Sequence, residues 1–332
     1  MNLESSSSQE TFAEDTESSG STVILERSTP ESRGSPEAND VDEEPETPDS
    51  RQNQARHYKV LQELYKSRPT LNKKDVAQLL DLEYQARRAY IDSDVMKEQD
   101  RPTKILQAYP CFRDLDHIMD ELHRILNLGN PHFISELKNR WRIFFEKAQF
   151  YGVFKKVLKP PMGDKVNQTI ALMKALPEMF PSPVTPPKKL GHSSEVMLHI
   201  LEVRCLCIDM RDIYLIIVFI FGIVFLFLFQ PAEYPNTFLH SRPLFSPVVI
   251  VCDTNCILAI GTMPVLIFPK EDIFDSVMYV MACYYTFHLT YPKCIATLIS
   301  VLQIEVLMDA IHARDMTSSY KKATAEWKKF TE

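Results

Sequence analysis

Asp253, Cys256 and His288 are the residue types from which a nucleophilic active site is assembled, and Cys252 adds a second thiol nearby. A thiol attacks when a base takes its proton and a third group orients that base. The surroundings argue against that chemistry here. Asp253 falls in a turn between two apolar runs, while Cys256 and His288 fall on apolar elements, where a small buried thiol and a hydrogen-bonded core imidazole serve packing. With eight glycines in 332 residues the chain has no Gly-rich phosphate loop, and it contains neither His-Glu-x-x-His nor Gly-x-Ser-x-Gly. We expect no catalytic residue and no cofactor. Metal binding is not expected either, because Cys205-x-Cys207 and Cys252-x3-Cys256 lack a second pair at zinc-finger or ribbon spacing. The cysteines are odd in number and scattered, and no signal peptide opens the chain, which points to free thiols in a reducing compartment.

Basic side chains offer a second kind of chemistry. Residues 136–165 hold eight basic and three acidic side chains, with Trp141, Phe150 and Tyr151 interleaved. Arg140, Arg142, Lys155 and Lys156 are candidate phosphate contacts, and Arg87 and Arg88 join them if "LNKKDVAQLLDLEYQARR" is half of a helix-turn-helix. The competing reading is a solvated basic helix face.

Charge is segregated along the chain. Residues 1–50 carry fourteen acidic side chains against Arg27 and Arg33, a net of −12, which leaves +5 for the other 282 residues. We read 1–52 as a disordered, acidic, Ser-rich tail, too poor in apolar side chains to offset its ordering entropy. Thr29-Pro30, Ser35-Pro36 and Thr47-Pro48 within it suit proline-directed phosphorylation; the competing reading is a solvating tail in which such pairs are incidental.

The elements that position the candidate residues are mainly helical. Over 53–160, "KKDVAQLLDLEYQARRAYI" places Val76, Leu79, Leu80 and Tyr84 on one face. Asp114 suits the N-cap of a helix bearing Leu115, Ile118, Met119, Leu122, Ile125 and Leu126. A third helix carries Ile134, Leu137, Trp141, Phe144, Phe145 and Ala148. Residues 161–192, with one short helix and Pro177, Pro181, Pro183, Pro186 and Pro187, read as an extended linker. Residues 193–202 look like the start of another helix. The part from 231 to 332 reads as a small α+β unit: a β-hairpin of Val248–Val251 and Ile257–Ile260 around Asp253-Thr254-Asn255, then two mostly buried helices and an exposed basic one. Pro292 suits the first turn of the second buried helix. Tyr284, Tyr285, Phe287 and Met278 would matter if those helices paired with another chain; helical spacing favours core packing for them.

Residues 203–230 interrupt this pattern. Ile213 to Phe229, with Phe221 at the middle, is a run of 17 apolar or aromatic residues including Gly222, the lower limit for a transmembrane helix. Lys188, Lys189, Arg204 and Arg211 before it would place the N-terminus in the cytosol. Composition favours a different origin. Phe, Ile, Val and Leu share codons with T in the second position, as a translated pyrimidine tract would. Val203-Arg204 can be written as a splice donor and Gln230 as an acceptor, and the 28 codons between keep frame. A retained intron is the leading reading, a genuine span the second and a buried core helix the third. The first makes the protein intracellular, the second a single-pass membrane protein.

The order of "KKDVAQLLDLEYQARRAYI", "RPTKILQAYPCF" and "SPVVIVCDTNCILAIGTMPVLIFPKEDIFDSVMYVMACYYTFHLTYPKCIATLISVLQ" resembles a vertebrate family, the sterile alpha motif domain-containing protein 3-like proteins. The resemblance covers about 56–202 and 231–332, with "LTYPKC" its most specific part. The chain shows no sterile alpha motif ahead of residue 56, and the family pattern runs without 203–230. The resemblance implies an intracellular protein and supplies no site. From the residues we expect a non-enzymatic interaction or scaffold protein with a protein partner. A single-pass membrane protein and a nucleic-acid-binding protein are the alternatives.

Overall fold

Polar caps and proline positions set where the helices begin and end, and the apolar stripes decide how they pack. A computed structural model describes residues 48–67, 72–201, 234–312 and 316–332. The acidic tail up to residue 47 and the run from 203 to 230, with Ile213, Phe221 and Phe229, lie outside the described residues. Residues 48–52, expected at the end of the tail, instead open the first helix, where Pro48 has the fixed φ that suits a first helical position.

Among the described residues, six α-helices precede residue 160: α1 (Pro48–Ser67), α2 (Lys73–Leu82), α3 (Tyr84–Ile91), α4 (Arg101–Ala108), α5 (Leu115–Asn127) and α6 (Phe133–Phe154). Asn72 caps α2 by accepting from Lys74 N, and Asp114 caps α5 by accepting from Asp116 N. The stretch read as one helix over Lys73–Ile91 is broken at Glu83, whose backbone (φ −100°, ψ 14°) leaves the helical range. α6 ends where Gly152 O accepts from both Val157 N and Leu158 N. Only a glycine fits there: a Cβ would lie 2.3 Å from Met179 Cε and 2.9 Å from Leu158 Cβ.

The short helix expected within 161–192 is α7 (Lys165–Met179), capped by Asp164; Leu172, Met173, Leu176, Met179 and the following Phe180 are fully buried, so this part is packed into the core rather than extended as a linker. Pro177 sits inside its last turn, and beyond it Ser182 Oγ accepts from Thr297 N. The expected helix start at 193–202 is also corrected. Ser193–Glu195 form one 3-10 turn, and Leu198–Ile200 form strand β1, paired in parallel with β2 (Pro247–Val251). A short apolar run takes whichever form its neighbours complete, and here the waiting edge of β2 decides.

β2, β3 (Asn255–Ile260) and β4 (Met263–Pro269) continue the sheet antiparallel, in the order β1-β2-β3-β4. The expected hairpin is β2–β3. A register shift between Leu258 and Ala259 accommodates Pro264 in β4. β2 alternates its side chains between two layers, as strand geometry requires. Val249 and Val251 join the main core, while Val248 and Ile250 join a smaller cluster with Leu201, Phe238 and Leu239 under α8 (Pro235–Ser241).

α9 (Ser276–Thr286) is buried along all eleven residues and packs against both α5 and β2. α10 (Ala296–Leu302) runs into one π-helical turn, Gln303–Leu307; Pro292 stands before the helix rather than in its first turn, its carbonyl accepting from Ile295 N. α11 (Ser318–Thr331) inserts Trp327 among Phe144, Tyr151 and Phe180, with ring centroids 5.1 to 5.6 Å away. The protein is thus mostly helical with a small mixed sheet toward its C-terminal part. One apolar cluster extends from Leu61 to Trp327 across both expected units. Among the described residues no helix is long and apolar enough to cross a membrane.

Candidate functional site

Charged residues on the apolar stripes locate the site. Along α2 and α3 the inward positions are Val76, Leu80, Glu83, Arg87 and Ile91; on α5 Glu121 falls beside Ile118 and Leu122. Three ionic side chains, Glu83, Arg87 and Glu121, are thereby forced into the core, where they are tolerated only if paired. Arg87, with no exposed surface, donates Nε to Glu121 Oε1 at 3.1 Å and Nη2 to Glu121 Oε2 at 2.8 Å, a two-pronged pair. Its Nη1 donates to Glu83 Oε1 at 3.1 Å, one helical turn away. Arg124 reaches Glu121 Oε2 at 3.4 Å and Asp81 at 2.5 Å. Arg88 lies 3.7 Å from Glu121, pairs with Asp92 and donates to the carbonyls of Thr286 and Tyr285 at the end of α9. His288 Nδ1 lies 3.0 Å from Asp92 Oδ1. The network therefore ties α2, α3, α5 and α9 together.

Burial pushes the Glu83 carboxyl up to about 7; Arg87 pulls it down and Glu121 adds to the rise. Burial opposes the charge on Arg87 as well, but Glu121 and Glu83 overrule it and hold the guanidinium protonated. At Asp92, burial is outweighed by the His288 contact and Arg88, which leave it below the usual carboxylate range.

Glu83 also borders an open groove of about 790 Å³ between α1, α3 and the end of α4. Tyr58, Tyr90 and Tyr109 form its aromatic walls, and Gln54 and Gln85 its polar rim. Ala55, Ala86, Ala89 and Ala108 are too small to fill it. Tyr109 lies between the other two rings, 5.6 Å and 63° from Tyr58 and 6.3 Å and 55° from Tyr90. Gln62 Nε2 donates to Ala108 O and fixes α1 against α4. Desolvation raises the Tyr58 and Tyr109 hydroxyls, and Glu83 adds to both, so the carboxyl and the two phenols are electrostatically coupled.

The residues singled out in the sequence lie elsewhere. Arg87 and Arg88 are corrected as phosphate contacts: they are buried in the ion network, so no nucleic acid can reach them. Arg140 donates to Val306 O, Arg142 pairs with Glu146, and Lys155 pairs with Glu326 and donates to Met179 O; Lys156, in the left-handed region at φ 62°, is exposed. Asp253 lies in the β2–β3 turn. Cys256 is buried on β3 opposite Val251, and desolvation pushes its thiol up to about 12, the wrong direction for a nucleophile. His288 faces Asp92 rather than that thiol. Cys252 Sγ is half-buried at the end of β2, and Cys205 and Cys207 lie outside the described residues. Met278, Tyr284, Tyr285 and Phe287 are packed in the core, so they are not free to pair with another chain.

Sequence reasoning missed Glu83, Tyr58, Tyr90 and Tyr109. A signal existed for the first: Glu83 and Arg87 occupy stripe positions four apart, which only a paired charge can do. No local signal marks the tyrosines, because α1 meets α3 and α4 only in the folded chain. No protein-family model, curated protein or solved structure matches the chain.

Proposed function

We propose that the chain is a non-enzymatic interaction protein that receives part of a partner in the α1–α3 groove. One observation carries this reading: a groove of about 790 Å³, lined by three tyrosines and one carboxyl, on a wall made rigid by the ion network behind it. That volume is in the range of small-ligand and side-chain sites, and aromatic walls with few fixed polar groups are their usual lining. Tyrosine offers large contact area at low cost in side-chain entropy. The resemblance to the sterile alpha motif domain-containing protein 3-like family is compatible with an intracellular adaptor of this kind.

Ala89 is exposed on the groove wall, so Ala89→Arg blocks the groove without entering the core. In proximity labelling from cells, the blocked variant is expected to lose a defined subset of the wild-type neighbours while keeping the wild-type melting temperature. An unchanged set of neighbours rules the groove out as the contact surface.

A further inference from the structure

α6 carries a second apolar stripe that the core does not use. Its inner side, with Trp141, Phe144, Phe145 and Ala148, is buried, whereas Ile143, Phe150 and Phe154 are 41%, 67% and 69% exposed. At spacings of seven and four residues these three share one outward line of the helix. At its end Phe154 meets Phe330 of α11, with ring centroids 5.3 Å apart, so the line runs up to that helix.

The border of that line is basic. Lys147 lies one turn from Ile143 and Phe150, and equally one turn from Phe144 and Tyr151, the rings that receive Trp327. Lys156 and Lys159 follow the end of α6. On α11, Lys321, Lys322, Lys328 and Lys329 form two pairs seven residues apart, on the face turned away from buried Tyr320, Ala323 and Trp327. All seven lysines are exposed, and among the described residues none has a carboxylate partner. Lys155, which joins the two helices, does have one, Glu326 at 3.1 Å. On the other side of the stripe Arg142 and Glu146 answer each other.

An exposed aromatic line edged by unpaired lysines is complementary to an acidic segment that carries a short apolar run. The chain itself supplies one. Residues 1–47 hold thirteen carboxylates against Arg27 and Arg33, a net of −11, and Val23-Ile24-Leu25 is their only run of three apolar residues. Glu14, Asp15 and Glu17 precede that run, and Glu26 and Glu31 follow it. From Leu25 to Pro48, where α1 begins, is 48 − 25 = 23 residue steps, about 75 Å when extended, against about 50 Å across a body of this size. A tethered segment also meets the face at an effective concentration on the order of 1 mM, which an outside polyanion must match.

We propose that residues 14–46 lie across the α6–α11 face, with Val23–Leu25 against Phe150 and Phe154 and the flanking carboxylates against the lysines. The protein's own acidic segment thereby covers the face. The helices involved are not those of the α1–α3 groove, so the two readings stand or fall separately.

The test treats the full chain with a carbodiimide, which joins a carboxylate to an amine only where the two touch, and reads the links by mass spectrometry. Lys155 and Glu326, 3.1 Å apart, are the internal control. Carboxylates of residues 14–46 should link to Lys147, Lys156, Lys322 and Lys329 in a yield that does not depend on protein concentration. The links should be lost at about 1 M salt, where the Debye length is about 3 Å. Lys322→Glu with Lys329→Glu, at exposed positions, should remove the links to Lys147 and Lys156 as well, while the melting temperature holds. Val23→Ser with Ile24→Ser and Leu25→Ser keeps every charge and should cut the yield about threefold or more. Links spread evenly to lysines elsewhere, such as Lys97 and Lys104, overturn the proposal, as does a full yield in the serine variant. A yield that climbs with protein concentration overturns it in favour of a second copy. A thymidylate oligonucleotide that binds the wild type as tightly as the serine variant overturns it in favour of nucleic acid.

Discussion

Replacing Glu121 by glutamine isolates the ion network from the rest of the core. The amide keeps the side chain's shape but cannot answer a guanidinium. Arg87 would keep its contact with Glu83, while Nε and Nη2 lose their charged acceptor at a site with no exposed surface. Arg124 and Arg88 keep Asp81 and Asp92. Two charge-assisted hydrogen bonds at about 1.5–3 kcal/mol each set the scale. Glu83, freed from the repulsion of Glu121, ionises more readily and offsets part of the loss, so the expected cost is about 3–5 kcal/mol, as for a broken buried pair. Urea unfolding reads it directly, because Trp141 and Trp327 are both buried, each against Phe144, and report the core. The double variant Arg87→Met with Glu121→Met removes both charges and should be less destabilised than the sum of the two singles by at least about 2 kcal/mol. A Glu121→Gln cost under about 1 kcal/mol, or strict additivity in the cycle, refutes the claim that these charges act as a unit.

Three further outcomes are expected. Glu83 has a folded pKa of about 7 against 4.5 unfolded. The native state therefore holds the extra proton between those values, and this contribution to stability is present at low pH and lost as pH rises from 4.5 through 7. The loss is at most on the order of 3 kcal/mol; Glu83→Gln should flatten that slope, and a wild-type curve parallel to the variant's denies the shift. Gly152→Ala should destabilise by about 1–3 kcal/mol through the clash with Met179 and Leu158, whereas Gly129→Ala, with nothing within 4 Å of its added Cβ, should be tolerated; urea midpoints of the two variants decide. Finally, Leu201 and Phe238 share one apolar cluster, so the described residues on either side of 202–233 lie near each other. Without Val203–Gln230 the five Cα steps from Leu201 to Tyr234 still reach about 17 Å. The shortened protein should keep its unfolding midpoint, and a marked fall would show that the segment contributes to the core.

Local patterns made much of the architecture readable. Asp114 as a cap, the stripe of α6 and the β2–β3 hairpin depend on residues within a turn or two of each other. What escaped depends on partners far away in sequence. Leu198–Ile200 is a strand because it pairs with Val249–Val251, and nothing within its own few residues distinguishes it from a helix start. The prolines after Met179 suggested an extended connection, yet α7 ahead of them carries a face of Leu172, Met173 and Leu176 that the core requires. The groove was least legible, since its walls come from three helices and its opening from alanines, residues that attract no notice in a linear reading.

The apolar cluster that joins Leu61 to Trp327 also governs how the protein is made. At about 5–20 residues per second, more than ten seconds separate the synthesis of those two side chains. For most of that interval α5 lacks α9 and Arg88 lacks the carbonyls of Tyr285 and Thr286, and α6 waits for α11 until its end. The nascent chain therefore carries a large uncovered apolar surface until almost all of it has been made, the condition under which unfinished polypeptides are prone to aggregate.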